Sequence, residues 1–237
     1  MSNSLIMLIG VNYHQPTILH ALFFQDWNHT LLEGAKTGNL DLVIESLENG
    51  AEINTTDSCN YTALLRATYS GYPHIITYLL EKGAKSDVIN IHQETALTLA
   101  TIAKNQDIIE SFLKHGTPID TVDGNGRTAL SWSAEEGNLD LIHYFLSKDK
   151  AKSLINRLDN HGNSPLAYAA LHGHLDVVKT LLDSGAKVDL TGENGKSPLQ
   201  WACGGKNVEI VETLLHKGSK VNFCDNSGNT ALIYAVG

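Results

Sequence analysis

The sequence predicts an all-α solenoid of stacked helix-turn-helix units, and three observations carry that prediction. First, a Ser or Thr opens a helix-forming segment at Thr62, Thr95, Thr128, Ser164, Ser197 and Thr230, at intervals of 33, 33, 36, 33 and 33 residues. Second, each complete copy carries a further segment with apolar residues at helical spacing, as in Val177, Val178, Leu181 and Leu182. Third, two short helices cannot bury such a stripe alone, so each unit needs neighbours in register, and the sequence supplies them.

The clearest unit runs from Asn163 to Leu190. The Ser164 hydroxyl is placed to cap a helix, and Pro165 is tolerated at the first helical position, where its missing N–H is not needed. Leu166, Ala169 and Ala170 form a narrow face that lets a neighbouring helix come close. Gly173 ends this helix, His174 leads into the second, and Gly185 closes it in a position that favours left-handed backbone.

A 33-residue period built on a Thr-Pro-Leu-His-x-Ala type of helix start resembles the ankyrin-repeat family, over Asn28 to Gly237. The resemblance implies an ankyrin-repeat domain over residues 28–237, with six repeats, half of a seventh, and short β-hairpin fingers. Residues 1–27 fall outside the register. Pro16 and Thr17 read as a helix start with Ile18, Leu19, Leu22 and Phe23 as its apolar face. This segment is expected to form an N-terminal capping helix; the alternative is a helix that docks onto a partner. Repeat one is a weaker copy opening at His29-Thr30-Leu31-Leu32, with Gly38, Gly50 and Ala51 in register.

Repeat two opens at Thr62, with Ile75, Ile76, Leu79 and Leu80 as its second stripe. Repeat three departs most: Gln93 stands where Gly126, Gly162, Gly195 and Gly228 stand elsewhere, and Lys104-Asn105 replaces the mid-repeat glycine. Left-handed backbone costs Gln more than Gly, so a different local turn is expected there. Repeat four lacks the closing Gly-Ala and carries Asp149-Lys150-Ala151-Lys152-Ser153 instead. Either its second helix runs on by a turn or a bulged surface loop forms. The last copy stops at Ala235-Val236-Gly237, inside its first helix, which suggests a longer protein or a partner covering that end.

Composition narrows the function classes. With 17 basic and 26 acidic residues the formal charge is −9, which repels nucleic acid and anionic membranes. Cys59, Cys203 and Cys224 form no C-x-x-C pair, and a reducing, cytoplasmic setting is the default. Leu5 to Val11 is apolar but lacks the basic start of a secretory signal. Gly195-Lys196-Ser197 is not a phosphate loop, because Leu190 stands where the first glycine is needed. The Asp123 and Asp159 turns lack the ligand pattern of a calcium loop, and His172-Gly173-His174 fits the repeat turn better than a metal site. No catalytic, cofactor or metal site is expected.

In the family this resembles, partners are gripped by the finger tips and the concave side of each first helix. Transferred residue by residue, those positions hold Tyr61, Tyr69, Ile91 and Ile102 in adjacent repeats, with Glu135, Glu136 and His172 further on. An exposed apolar patch beside an acidic rim suits a basic, amphipathic protein or peptide. Trp132, Tyr168, Trp201 and Tyr234 form a second stripe, four residues after each helix start, and serve either inter-repeat packing or a partner groove. The functional expectation is a non-catalytic protein-interaction module. The competing expectation is the recognition part of a larger enzyme, or of an effector that a bacterium delivers into a host cytosol.

Overall fold

A computed structural model describes residues 26–236. Apart from Asp26 and Trp27, the expected N-terminal cap over 1–27 lies outside the described residues. Among these residues the α-helices are α1 (Trp27–Thr37), α2 (Leu40–Glu48), α3 (Ala63–Ser70), α4 (Pro73–Glu81), α5 (Ala96–Ile102), α6 (Gln106–Lys114) and α7 (Ala129–Glu135). They continue with α8 (Leu139–Leu146), α9 (Pro165–Leu171), α10 (Leu175–Asp183), α11 (Pro198–Gly204), α12 (Val208–His216) and α13 (Ala231–Val236). Odd-numbered first helices stack side by side from α1 to α13, and the even-numbered second helices pack behind them.

The helix starts follow the expected chemistry. The Thr62, Thr95, Thr128, Ser164 and Ser197 hydroxyls accept the backbone N–H three residues on, at 3.2–3.4 Å. Repeat one differs from the expected opening at His29. Its helix begins at Trp27, because the Asp26 carboxylate accepts from the N–H groups of Asn28 and His29. One apolar cluster runs without a break from Leu31 to Ala231. Its largest fully buried side chains include Phe112 and Phe145 on second helices and Leu64, Leu97 and Leu130 on first helices. Leu232 occupies the same register position as those leucines but is exposed, because no further described helix packs on α13.

Between repeats the chain turns through a short finger closed by one backbone bond, as in Asp123 N–H to Arg127 C=O and Asp159 N–H to Asn163 C=O. Successive fingers are tied tip to tip by Ile91 N–H to Cys59 C=O, Gly124 N–H to Gln93 C=O and Asn160 N–H to Asn125 C=O. The pairing amounts to isolated bridges at Thr56–Thr62 and Val122–Thr128 rather than extended strands. Repeat three keeps the common turn after all. Gln93 adopts φ 68°, and its N–H reaches the Asn90 carbonyl as Gly126 N–H reaches Asp123. The insertion in repeat four forms a loop, not a longer helix: α8 stops at Leu146, and Asp149–Leu154 makes a 3-10 turn. Buried Leu154 and Ile155 anchor that turn to the core.

Candidate recognition surface

The fingers and first helices together form one continuous face, and the expected recognition residues fall on or beneath it. Tyr69 at the end of α3 is 68% exposed, and Ile91 at the next finger tip is 54% exposed. Ile102 is half-buried at the end of α5. Tyr61 is not exposed, contrary to the sequence expectation: it is 6% accessible. Its ring lies under the Arg66 guanidinium at 4.3 Å and meets Tyr69 and His92 edge-on, both at 6.3 Å. Tyr61 therefore supports the exposed Tyr69 rather than forming the surface itself.

The expected acidic rim is also internally paired. Glu135 accepts from the Arg127 guanidinium at 2.5 Å, and Glu136 lies 3.6 Å from the Lys104 ammonium. His172 is exposed, with Nε2 3.8 Å from Glu135, and its ring stacks on His174. His174 contacts the Glu135 backbone carbonyl through Nε2 at 2.7 Å. A side chain at Gly137 would collide with this imidazole, so the glycine there serves close packing as well as its φ of 65°.

The aromatic stripe is built on a device that helical periodicity does not reveal. Nine residues before the stripe position, an aspartate (Asp57, Asp123, Asp159 or Asp225) closes four of the fingers by accepting two backbone N–H groups with Oδ1, as Asp123 does from Asn125 and Arg127. Its second oxygen reaches forward to the stripe. Asp123 accepts from Trp132 Nε1 at 2.8 Å, Asp159 from the Tyr168 hydroxyl at 2.5 Å, and Asp225 from the Tyr234 hydroxyl at 2.6 Å. Asp57 does the same with Arg66. These bonds set the local acidities. Burial and the Asp159 bond push the Tyr168 hydroxyl up to about 12. The Tyr234 hydroxyl leads the interactions that hold the Asp225 carboxyl below its ordinary value. At Asp57, burial pushes upward, but Arg66 and two backbone donors outweigh it and hold the carboxyl low.

Cations fill the spaces between successive rings. Arg127 lies between Trp132 at 4.7 Å and Tyr168 at 4.4 Å, with Nε 3.5 Å from the fully buried Asp159 carboxylate. Lys196 lies between Trp201 at 4.3 Å and Tyr234 at 4.4 Å. Each contact of this type contributes about 0.5–1 kcal/mol where exposed and more where dry. Sequence reasoning named neither cation as a site residue, although both precede a helix-opening Ser or Thr by one position.

The intervening rung is different. Asn163 and Gly192 occupy the positions where the preceding rung has Arg127 and Asp159. Asn163 reaches the Tyr168 hydroxyl, and its side chain fills the space that a Cβ at residue 192 would need. With no carboxylate at 192, the buried Trp201 Nε1–H finds no acceptor among protein atoms. A cleft of about 350 Å³ opens here, lined by Tyr168, Trp201, Glu135, His161 and His172 among others. Tyr168 itself is 4% accessible and packs between repeats, beside the cleft at this rung.

A family profile described as ankyrin repeats, in three copies, matches residues 31–123, 103–192 and 184–237. The chain belongs to the ankyrin-repeat family. Among solved structures, the ankyrin repeat domain of Bcl-3, a member of the IkappaB family, superposes with a TM-score of 0.71 at 24% identity. That match covers 90% of this chain and 94% of the Bcl-3 domain. The human ASB11 ankyrin repeat domain gives 0.67 at 24% identity, over 86% of this chain and 90% of its own. A chain of the Bdellovibrio bacteriovorus complex between the predatory endopeptidase Bd0816 and the immunity protein Bd3460 gives 0.69 at 28% identity, over 79% and 97%. No curated protein sequence matches significantly. Ankyrin repeats generally serve as protein-interaction modules. Among the described residues, no group of three or more His, Cys, Asp or Glu side chains converges on a metal position, and no helix is long and apolar enough to cross a membrane.

Proposed function

We propose that this chain is a non-catalytic recognition module whose concave face holds a protein or peptide partner with apolar and basic side chains. The observation that carries the proposal is the exposure of Tyr69 and Ile91 on adjacent repeats of one rigid face. Large apolar groups held in water by a well-packed scaffold are characteristic of binding surfaces, and aromatic anchors carry much of the energy when covered. Tyr69 is held from beneath by Tyr61, so little ordering entropy is lost on binding. The net charge of −9 favours a basic partner. The neighbour found in a complex of an endopeptidase with an immunity protein supports a protein as the partner class.

The test is capture with the parent chain and with a Tyr69→Ser/Ile91→Ser/Ile102→Ser variant. Circular dichroism first establishes equal helix content. A partner held by the parent and lost by the variant is the expected outcome; equal retention overturns the assignment to this patch.

A further inference from the structure

The finger face carries a ladder in which aromatic rings alternate with cations, and one rung is open. Arg127 fills the space between Trp132 and Tyr168, and Lys196 fills the space between Trp201 and Tyr234. The space between Tyr168 and Trp201 belongs to Asn163, whose short amide turns to the Tyr168 hydroxyl. The result is the cleft of about 350 Å³ that both rings line.

We infer that this cleft is a receptor for one basic side chain, lysine or arginine, of the protein partner. Three observations argue for that occupant. The chain itself places a guanidinium in one neighbouring space of the stripe and an ammonium in another, so ring pairs of this stripe accept either group. The faces of Tyr and Trp rings attract cations through their quadrupoles. The fixed charges around the cleft are Arg127 against Glu135 and Asp159 and, on the other face of Trp201, Lys196 against Asp225, which leaves one negative charge for a partner cation to neutralise. Glu135 and the exposed His172 stand at the same cleft, so a basic side chain entering it passes a carboxylate.

The inference rests on reading the concave face as a binding surface, but the two fail separately. The test is a titration of ¹⁵N-labelled protein with blocked peptides of sequence Gly-Gly-X-Gly-Gly, where X is arginine, lysine, citrulline or norleucine. The indole Nε1–H resonances of Trp132 and Trp201 are the readout, because one indole borders a filled rung and the other the open one. The expected result is a saturable shift of Trp201 with arginine or lysine, a much smaller one with citrulline or norleucine, and an unmoved Trp132. The double substitution Asn163→Arg/Gly192→Asp rebuilds the filled rung and is expected to weaken peptide binding at least about fivefold, as the loss of the two ring contacts implies. A Trp132 resonance at its parental position shows that the variant is folded; if it is displaced, Asn163→Lys alone serves as the plug.

No response to the charged peptides, an equal response to the neutral ones, or undiminished binding by the folded plug variant overturns the inference. A basic-peptide response with no macromolecular partner captured keeps the cleft and removes the module reading. Capture through Tyr69 and Ile91 without a basic-peptide response does the reverse.

Discussion

Repeats two and three and repeats four to seven share one backbone but place different chemistry four residues into the first helix. The early repeats have Arg66 and Leu99 there, while the later ones have Trp132, Tyr168, Trp201 and Tyr234. In the early repeats the large apolar groups, Tyr69 and Ile91, stand out in water. In the later repeats the aromatic groups turn inward, fixed by a finger aspartate and separated by cations. One face thus has a region where apolar surface is presented and a region where it is consumed in holding the stack together. The open rung at Asn163 is where the second region reverts towards the first.

Substitutions can break this contrast. The largest effect is expected from Asp159→Ala, which strips acceptors from the N–H groups of His161 and Asn163 and from the Tyr168 hydroxyl, and leaves Arg127 short of a carboxylate. Removing one partner of a buried charged pair costs about 3–5 kcal/mol, and urea unfolding should show a loss of that order. The corresponding change in repeat three, Asn90→Ala, removes a neutral acceptor from His92 and Glu94 and should cost only about 1–3 kcal/mol.

The two tryptophans sharpen the comparison within the later region. Trp132→Phe removes a donor that Asp123 uses and should cost about 1–2 kcal/mol beyond the lost ring area. Trp201→Phe removes a donor with no acceptor, so the penalty beyond ring area should vanish or change sign. Thermal unfolding of the pair in parallel measures the difference.

Acidity gives a third contrast. The Tyr168 hydroxyl is pushed up to about 12 from the ordinary 10.0, so folding favours its protonated form. That stability is present in full below pH 10 and is lost as pH rises towards about 12. The advantage of the parent over Tyr168→Phe, about 1–2 kcal/mol for the hydrogen bond, should therefore shrink across that window. Asp57 in repeat two has the opposite sign. Its carboxyl is held below 3.8, so the advantage over an Arg66→Leu variant is present above that pH and disappears as pH falls below it. The pair is partly exposed, and about 0.5–1 kcal/mol is the expected size.

The smallest effect concerns the shared turn. Gln93→Gly relieves a left-handed non-glycine residue and should stabilise by about 0.5–1 kcal/mol, read as a rise in Tm.

The repeat architecture was legible because its signals are local and periodic: a hydroxyl cap every 33 residues, a glycine after each stripe, and leucines at fixed offsets. Where the structure departs from the reading, the cause is contact across the period. Tyr61 looked exposed because its position precedes a helix, but the Arg66 guanidinium and the next finger's His92 cover it. Glu135 looked like a free acid because Arg127 lies eight residues upstream, outside helical spacing, and meets it only once the finger folds back. The nine-residue spacing from aspartate to ring was present at 123/132, 159/168 and 225/234, and from aspartate to arginine at 57/66, yet it matches neither helix nor strand periodicity. Its one gap among the ring-bearing repeats, Gly192 to Trp201, was the sequence signal for the open rung.

Hydrogen exchange of a captured complex tests the central claim most directly, because it reports which side of the solenoid the partner covers. The account predicts new protection in the fingers and at the C-terminal ends of α3, α5, α9 and α11, with α4, α6, α10 and α12 unchanged. Protection confined to those second helices would contradict it.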